Sequence, residues 1–227
     1  MTSLQPARHA VVLGGTGYVG SHVVEGLLAA GAARVTVPTR RSTDLPAWAD
    51  DDRVVLLQTD VSTPDGSTYL GRVLDDAPPV TFASASVGGW WEGPHLVDLD
   101  ADTWDGLLRS NLTSHWLAAR AVVPHLDPAG SAYVTTNGIA TVQPEAASGP
   151  VSVTGAAQTM LLDVLRAEES REAVRFHELC IVNPIVDDGQ AEHADEAVVE
   201  IGDVVARVLA LGAGSDAGAH QVRLGRL

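Results

Sequence analysis

The chain has 227 residues, 45% hydrophobic and 19% charged, the balance of a globular protein with enough apolar material for a sizeable core. Its 29 acidic residues outnumber 14 basic ones, for a formal net charge of −15. So acidic a surface repels phosphate backbones and anionic lipid, which argues against nucleic acid or a membrane as partner. In chain order, 8–13 reads as a buried strand, 14–20 as a glycine-rich turn, and 21–30 as a helix with Val23, Val24, Leu27 and Leu28 as its apolar stripe, ended by Gly31. A second strand at 34–37, a polar stretch at 39–52 and a third strand at 53–58 follow. A short helix near 68–74 leads to a fourth strand at 80–85. A long helix then runs from Trp104 to about His125, with Leu107, Leu108, Leu112, Trp116, Leu117 and Val123 at helical spacing. Beyond it come a strand at 131–136, a helix at 151–170, a strand at 174–182, a helix at 195–211 and a strand at 221–224.

Strands separated by helices imply right-handed crossovers and a parallel sheet covered on both faces. The expected fold class is α/β: a single doubly wound domain over 1–227, with a seven-stranded parallel sheet flanked by helices. Cys180 is the lone cysteine, so neither an internal disulfide nor a cysteine metal cluster is expected. The stretch 1–9 lacks the charged start and apolar run of a signal peptide. No apolar run approaches the ~20 residues of a membrane span, and a cytoplasmic protein is expected.

Gly14, Gly17 and Gly20 are spaced G-x-x-G-x-x-G at the first strand-to-helix turn, with Thr16, Tyr18 and Val19 between them. Such a turn needs residues free of Cβ constraints so that the backbone can approach a pyrophosphate, which the helix N-terminus then holds. A Rossmann-type dinucleotide site follows. An NAD-selective site usually places a carboxylate after the second strand. Here Arg40 and Arg41 follow Thr39, and no acid precedes Asp44. Two guanidiniums suit a 2′-phosphate, so NADP (NADPH) is the expected cofactor.

With these features, and with Asp60-Val61 after the third strand and Asn111 inside the long helix, the chain resembles the short-chain dehydrogenase/reductase family over nearly its whole length. The resemblance implies that Asp60 and Val61 contact adenine and that Asn111 positions a water in a proton relay. It also places Ala83-Ser84-Ala85-Ser86 at the family's Asn-Asn-Ala-Gly, and Asn183-Pro184-Ile185 at its Pro-Gly region, making Ser84, Ala85, Pro184 and Ile185 cofactor-binding candidates. The family's catalytic Tyr-x-x-x-Lys is missing. Val151 takes the tyrosine position, Gly155 the lysine position, and Asn137 or Gly138 that of the serine. All 14 basic residues are arginine and the tyrosines are Tyr18, Tyr69 and Tyr133, so no shift of alignment restores the pair. Losing a positioned acid typically costs ~10²–10⁴-fold, and ordinary ketone reduction should be crippled. The substrate loop is short as well, with only 186–193 before the next acidic helix start.

Candidates for what remains are few. The segment 86–95 places Trp90 and Trp91 between glycines, either as a mobile aromatic wall or as a core or interface cap. His95 and Glu92 are surface groups or substitute proton donors. His115 is a packing residue or an acid, and Asn137 a substrate hydrogen-bond donor or a turn residue. Thr135, Thr136, Ser148, Ser152 and Thr154 offer hydroxyls, but no His-plus-acid spacing marks a nucleophile. The run Asp98, Asp100, Asp102 and Asp105 reads as helix capping, with Asp102 or Thr103 as N-cap, and Asp187-Asp188 as solvated. No metal site is expected.

Three functions remain open. One is an NADP-dependent reductase of a pre-activated small-molecule substrate, an iminium or a conjugated alkene, with a flat aromatic ring among the expected forms. Another is an inactive NADP-binding sensor or regulatory subunit. The last is a non-redox isomerase, dehydratase or cyclase on the same scaffold. By resemblance, the helices from Trp104 and Val151 would form a homodimer or homotetramer.

Overall fold

The computed structural model describes residues 7–191, 197–214 and 220–226. Seven parallel strands form the main sheet in the order β3-β2-β1-β4-β5-β6-β9. They are β1 (Ala10–Leu13), β2 (Val35–Thr39), β3 (Val54–Gln58), β4 (Phe82–Ala85), β5 (Ser131–Gly138), β6 (Val174–Ile181) and β9 (Gln221–Leu224). The order reverses between β1 and β4, which opens a crevice at their carboxyl ends where such sheets bind ligands. Helices α1 (Tyr18–Ala29) and α6 (Ile201–Gly212) cover one face through Val23, Val24, Leu27, Val204 and Val208. The other face carries α2 (Pro64–Asp75), α4 (Ser114–Val122) and α5 (Gly149–Glu168), with Leu70, Ala118, Val122 and Leu162 buried. No helix among the described residues is long and apolar enough to cross a membrane.

Several boundaries differ from the sequence reading. Helix α1 begins at Tyr18, not at 21, because Gly20 sits inside its first turn, where a Cβ would stand 2.2 Å from the Gly14 carbonyl oxygen. Helix α2 begins four residues early at Pro64, capped by the Thr63 hydroxyl, which accepts from the Gly66 amide at 3.1 Å. Proline at the first helical position loses no helix bond. Strand β4 starts at Phe82, because Val80 makes an isolated bridge to Leu126.

The long helix is three segments: α3 (Ala101–Leu108), a π-turn (Arg109–Thr113) and α4. Its N-cap is Asp100, whose carboxylate accepts from the Thr103 amide at 2.8 Å, in place of the expected Asp102 or Thr103. The helix expected over 195–211 starts only at Ile201. Val199–Glu200 instead forms β8, paired in parallel with β7 (Ile185–Val186). Residues 195 and 196 lie outside the described residues.

Candidate functional site

The glycine loop closes on itself: the Gly17 amide donates to the Gly14 carbonyl at 2.9 Å, and Ser21 to Gly17 at 2.8 Å. Gly14 has φ +78°, and a Cβ there would lie 2.1 Å from the Ser86 carbonyl oxygen, so only glycine lets this loop meet the segment after β4. The α1 N-cap, Gly17, contributes no side-chain bond, and the first turn holds no acid. Its outward amides and positive dipole end suit a phosphate.

A cavity of about 390 Å³ runs from this loop past Thr39, Arg40 and Arg41 to Asp60, Val61 and Ser62, and ends against Trp90, Trp91 and Asn111. Arg40 and Arg41 are exposed, and among the described residues neither guanidinium pairs with a carboxylate. The Thr39 hydroxyl orders the rim, receiving the Arg41 amide at 3.0 Å and lying 3.2 Å from the Thr16 hydroxyl. Asp60 accepts from Ser62 through its amide and hydroxyl at 3.0 and 2.6 Å, an Asx turn that leads into α2. The glycine cradle and the arginine rim around one cavity fit a dinucleotide carrying an additional phosphate.

An adjoining cavity of about 340 Å³ is lined by Tyr18, Val19, Val87, Trp90, Thr136, Asn137, Ala140, Val151, Thr154, Gln158 and Ile181, among others. Asn111 lines both spaces, as do Gly17, Ser86 and Trp90. Apart from Tyr18, no described side chain lining the second space is ionisable. The Tyr18 hydroxyl donates to Asp187 at 2.7 Å, and its pKa is pushed up to about 12, first by loss of solvent and then by that carboxylate. It stays a neutral phenol.

The structure thus brings Asn111 and Asn137 into one cavity and leaves His95 outside both, exposed before a short turn. Asn137 has both ends of its amide engaged. Its Nδ2 donates to the Gly155 carbonyl at 3.1 Å and its Oδ1 accepts from the Gly138 amide at 3.0 Å, the turn role. His115 is a packing residue: its Nε2 donates to the Val87 carbonyl at 2.9 Å, and burial lowers its pKa. Ser84 and Ala85 are fully buried within β4 and line neither cavity; Ser86 and Val87 line both. Pro184 accepts from the Val199 amide, and Ile185 packs on the core, away from both spaces.

Asp187 and Asp188 are not merely solvated. Asp187 holds Tyr18, and Asp188 accepts from the Gly202 amide at 2.8 Å. With the Gly189 and Ala191 amides on Glu200, these bonds tie residues 187–191 to Tyr18 of α1 and to the start of α6. Val151 and Gly155 both lie on α5, Val151 lining the second cavity and Gly155 close to Thr141 and the Asn137 side chain. The sequence reading missed Gln158, whose position three and four residues beyond Gly155 and Thr154 was the available signal. It also missed Glu178, fully buried in β6 and holding the Thr159 hydroxyl and the Gln221 amide, each at 2.7 Å. Among the described residues no cluster of three or more histidine, cysteine or acidic side chains could hold a metal.

A parallel doubly wound sheet with a glycine cradle at its first crossover, open to a groove at the switch point, defines a Rossmann-type protein. The chain belongs to the short chain dehydrogenase family, whose model matches residues 8–192. Among solved structures it is similar to a short chain dehydrogenase from Burkholderia cenocepacia J2315 in complex with NADP, at 22% identity and TM-score 0.80, over 96% of this chain and 88% of that one. A gluconate 5-dehydrogenase from the same organism, in complex with NADP and tartrate, aligns at 17% identity and TM-score 0.81, over 99% and 97%. An alcohol dehydrogenase from the archaeon Thermococcus sibiricus, complexed with 5-hydroxy-NADP, aligns at 17% and TM-score 0.79, over 96% of each chain. Sequence comparison with curated proteins returns no match.

Proposed function

We propose that the protein is an NADPH-dependent oxidoreductase that reduces an uncharged, conjugated alkene without an enzymic proton donor. The carrying observation is a cavity continuous with the glycine cradle, walled by Trp90, Val87, Val151 and Ile181, with no charged side chain among its described lining residues. A bound NADPH supplies a hydride there. The residues around it orient and desolvate. The α1 amides take the diphosphate, Arg40 and Arg41 take the 2′-phosphate, and the apolar walls hold a flat substrate. The Thr136 hydroxyl donates to Ser86 at 2.9 Å, which leaves the Ser86 proton free to polarise a carbonyl conjugated with the alkene. A conjugated alkene then takes its proton at carbon from water. An iminium is disfavoured, because no carboxylate is among the described residues that line the cavity to steady its charge.

The test is loss of nicotinamide absorbance across conjugated alkenes and imines, with deuterium from solvent appearing at the carbon next to the carbonyl. Silence of both panels overturns this reading. A second reading, nucleotide binding without turnover, is favoured by the engagement of both asparagine amides with protein partners. It is upheld if NADPH binds tightly while every substrate is refused. By family membership, the exposed apolar side chains Trp116, Val153, Met160 and Val164 on α4 and α5 are proposed to pack in a homodimer or homotetramer.

A further inference from the structure

Val151, Thr154 and Gln158 lie along one line of α5 that faces the 340 Å³ cavity. The Gln158 side-chain amide does not point at open space: it donates to the backbone carbonyl of Asn111. Asn111 sits within the π-turn, where the Ser114 amide reaches back five residues to Arg109. Such turns displace the ordinary helical bonding pattern and often mark functional sites. The Asn111 side chain, in turn, is paired with Gly89 at both ends: Nδ2 donates to the Gly89 carbonyl at 3.0 Å, and the Gly89 amide donates to Oδ1 at 3.1 Å. Gly88, at φ +96°, is pressed against the same group, for a Cβ there would lie 2.6 Å from Oδ1. The next residue is Trp90, an aromatic side chain that lines both cavities, held through its indole N–H to Glu92 at 2.8 Å. The segment is tied on either side as well, by His115 to Val87 and by the Gly93 amide to the Ala147 carbonyl at 2.9 Å.

We propose that Gln158 is the positioning residue of this site. By holding the Asn111 carbonyl it fixes, through the Asn111–Gly89 pair, the turn that sets Trp90 as a rigid aromatic wall between the two cavities. The residue that the family resemblance assigns to positioning a relay water thereby gives its own carbonyl to a side chain, and Asn111 serves as a clamp. The ligand such a wall receives is a planar, uncharged ring lying across the junction, and this last clause alone rests on the NADPH reading.

The test uses the full-length protein, without nucleotide, labelled with 5-fluorotryptophan, the Trp90 fluorine resonance being assigned by Trp90→Phe. Gln158→Met keeps the length of the side chain and removes its donor. The Trp90 resonance then shifts and broadens, while that of Trp48, buried and bonded to Ser21, stays put and reports an intact fold. Gln158→Lys restores a donor and returns the Trp90 signal. An unchanged Trp90 resonance in Gln158→Met overturns the proposal. Should that variant lose the Trp48 signal, hydrogen exchange in the wild type decides. Gly89 is solvent-exposed, so slow exchange of its amide supports the clamp and exchange at the rate of an open chain overturns it. Titration with NADPH is separate: energy transfer from Trp90 to the nicotinamide supports the ring clause. Its absence while NADPH binds removes that clause, and absence of binding removes the nucleotide reading, leaving the fluorine result intact.

Discussion

The α-carbon of Gly14 meets the carbonyl of Ser86 so closely that a methyl group could not enter: a Cβ would stand 2.1 Å from that oxygen. The contact joins the first crossover to the segment after β4 and brings the glycine loop, Ser86 and the tryptophan wall around one groove. Gly14→Ala also meets a positive φ of 78°, which costs roughly 1–2 kcal/mol for a non-glycine residue before any clash is counted. A lowered urea midpoint and loss of NADPH binding are expected. A variant that kept both would show that the loop makes no close approach.

Arg40 and Arg41 face the 390 Å³ cavity with no carboxylate partner among the described residues. Replacing both by alanine removes charge-assisted hydrogen bonds to the 2′-phosphate, and NADPH affinity should fall on the order of tenfold or more. NADH lacks that phosphate and should be nearly unaffected. Calorimetry with both nucleotides checks this, and an equal loss for both would remove the assignment of NADP.

Restoring a lysine at Gly155 should not by itself restore ketone reduction. A Cβ at that position would lie 2.8 Å from the Thr141 hydroxyl oxygen and 3.3 Å from the Asn137 side chain. Val151→Tyr with Gly155→Lys is expected to lose stability and to stay inactive toward simple ketones, whereas adding Thr141→Ala relieves the crowding. Thermal melts of the double and triple variants measure the difference, and equal melting temperatures would contradict it.

His115 is buried, and its pKa is lowered from 6.5 by loss of solvent. His9 is shifted the same way and for the same chief reason. The unfolded chain therefore binds protons that the native state refuses. Stability from these groups is complete above about pH 6.5. It falls as pH drops toward the lowered native values, by at most about 1.4 kcal/mol per pH unit for each histidine. Denaturant midpoints between pH 7.5 and 5.5, chosen to span roughly that ordinary value, should decline, and His115→Gln should flatten the slope. Stability that rose on acidification would refute the burial argument.

Glu178 is buried between Thr159 of α5 and Gln221 of β9. Glu178→Ala strands the Gln221 amide and leaves the Thr159 hydroxyl only its 3.4 Å contact with the Gly155 carbonyl, beside a new cavity, and should cost about 2–4 kcal/mol. Glu178→Gln keeps most of the volume and should cost less. Equilibrium unfolding distinguishes the two, and equal losses would mean that the hydrogen bonds contribute little.

Much of the architecture was legible because its signals are local. Apolar runs and helical stripes mark strands and helices within a few residues, the glycine spacing marks the first crossover, and Arg40-Arg41 follow β2 directly in the chain. The boundaries that went astray involve packing partners distant in sequence. Gly20 and Gly66 resemble breakers until the carbonyls of Gly14 and Asp60 are placed against them. β7 and β8 are too short to show a period, and each exists only through the other.

The order of residues along the chain determined the doubly wound class, the glycine cradle and the absence of a tyrosine–lysine pair, because periodicity, spacing and composition survive without a partner. Only the tertiary structure decided what stands in their place. Gln158 meets Asn111 across 47 positions and Gln221 meets Glu178 across 43, and a hydrogen bond between groups so far apart in the chain leaves no pattern until packing brings donor and acceptor together.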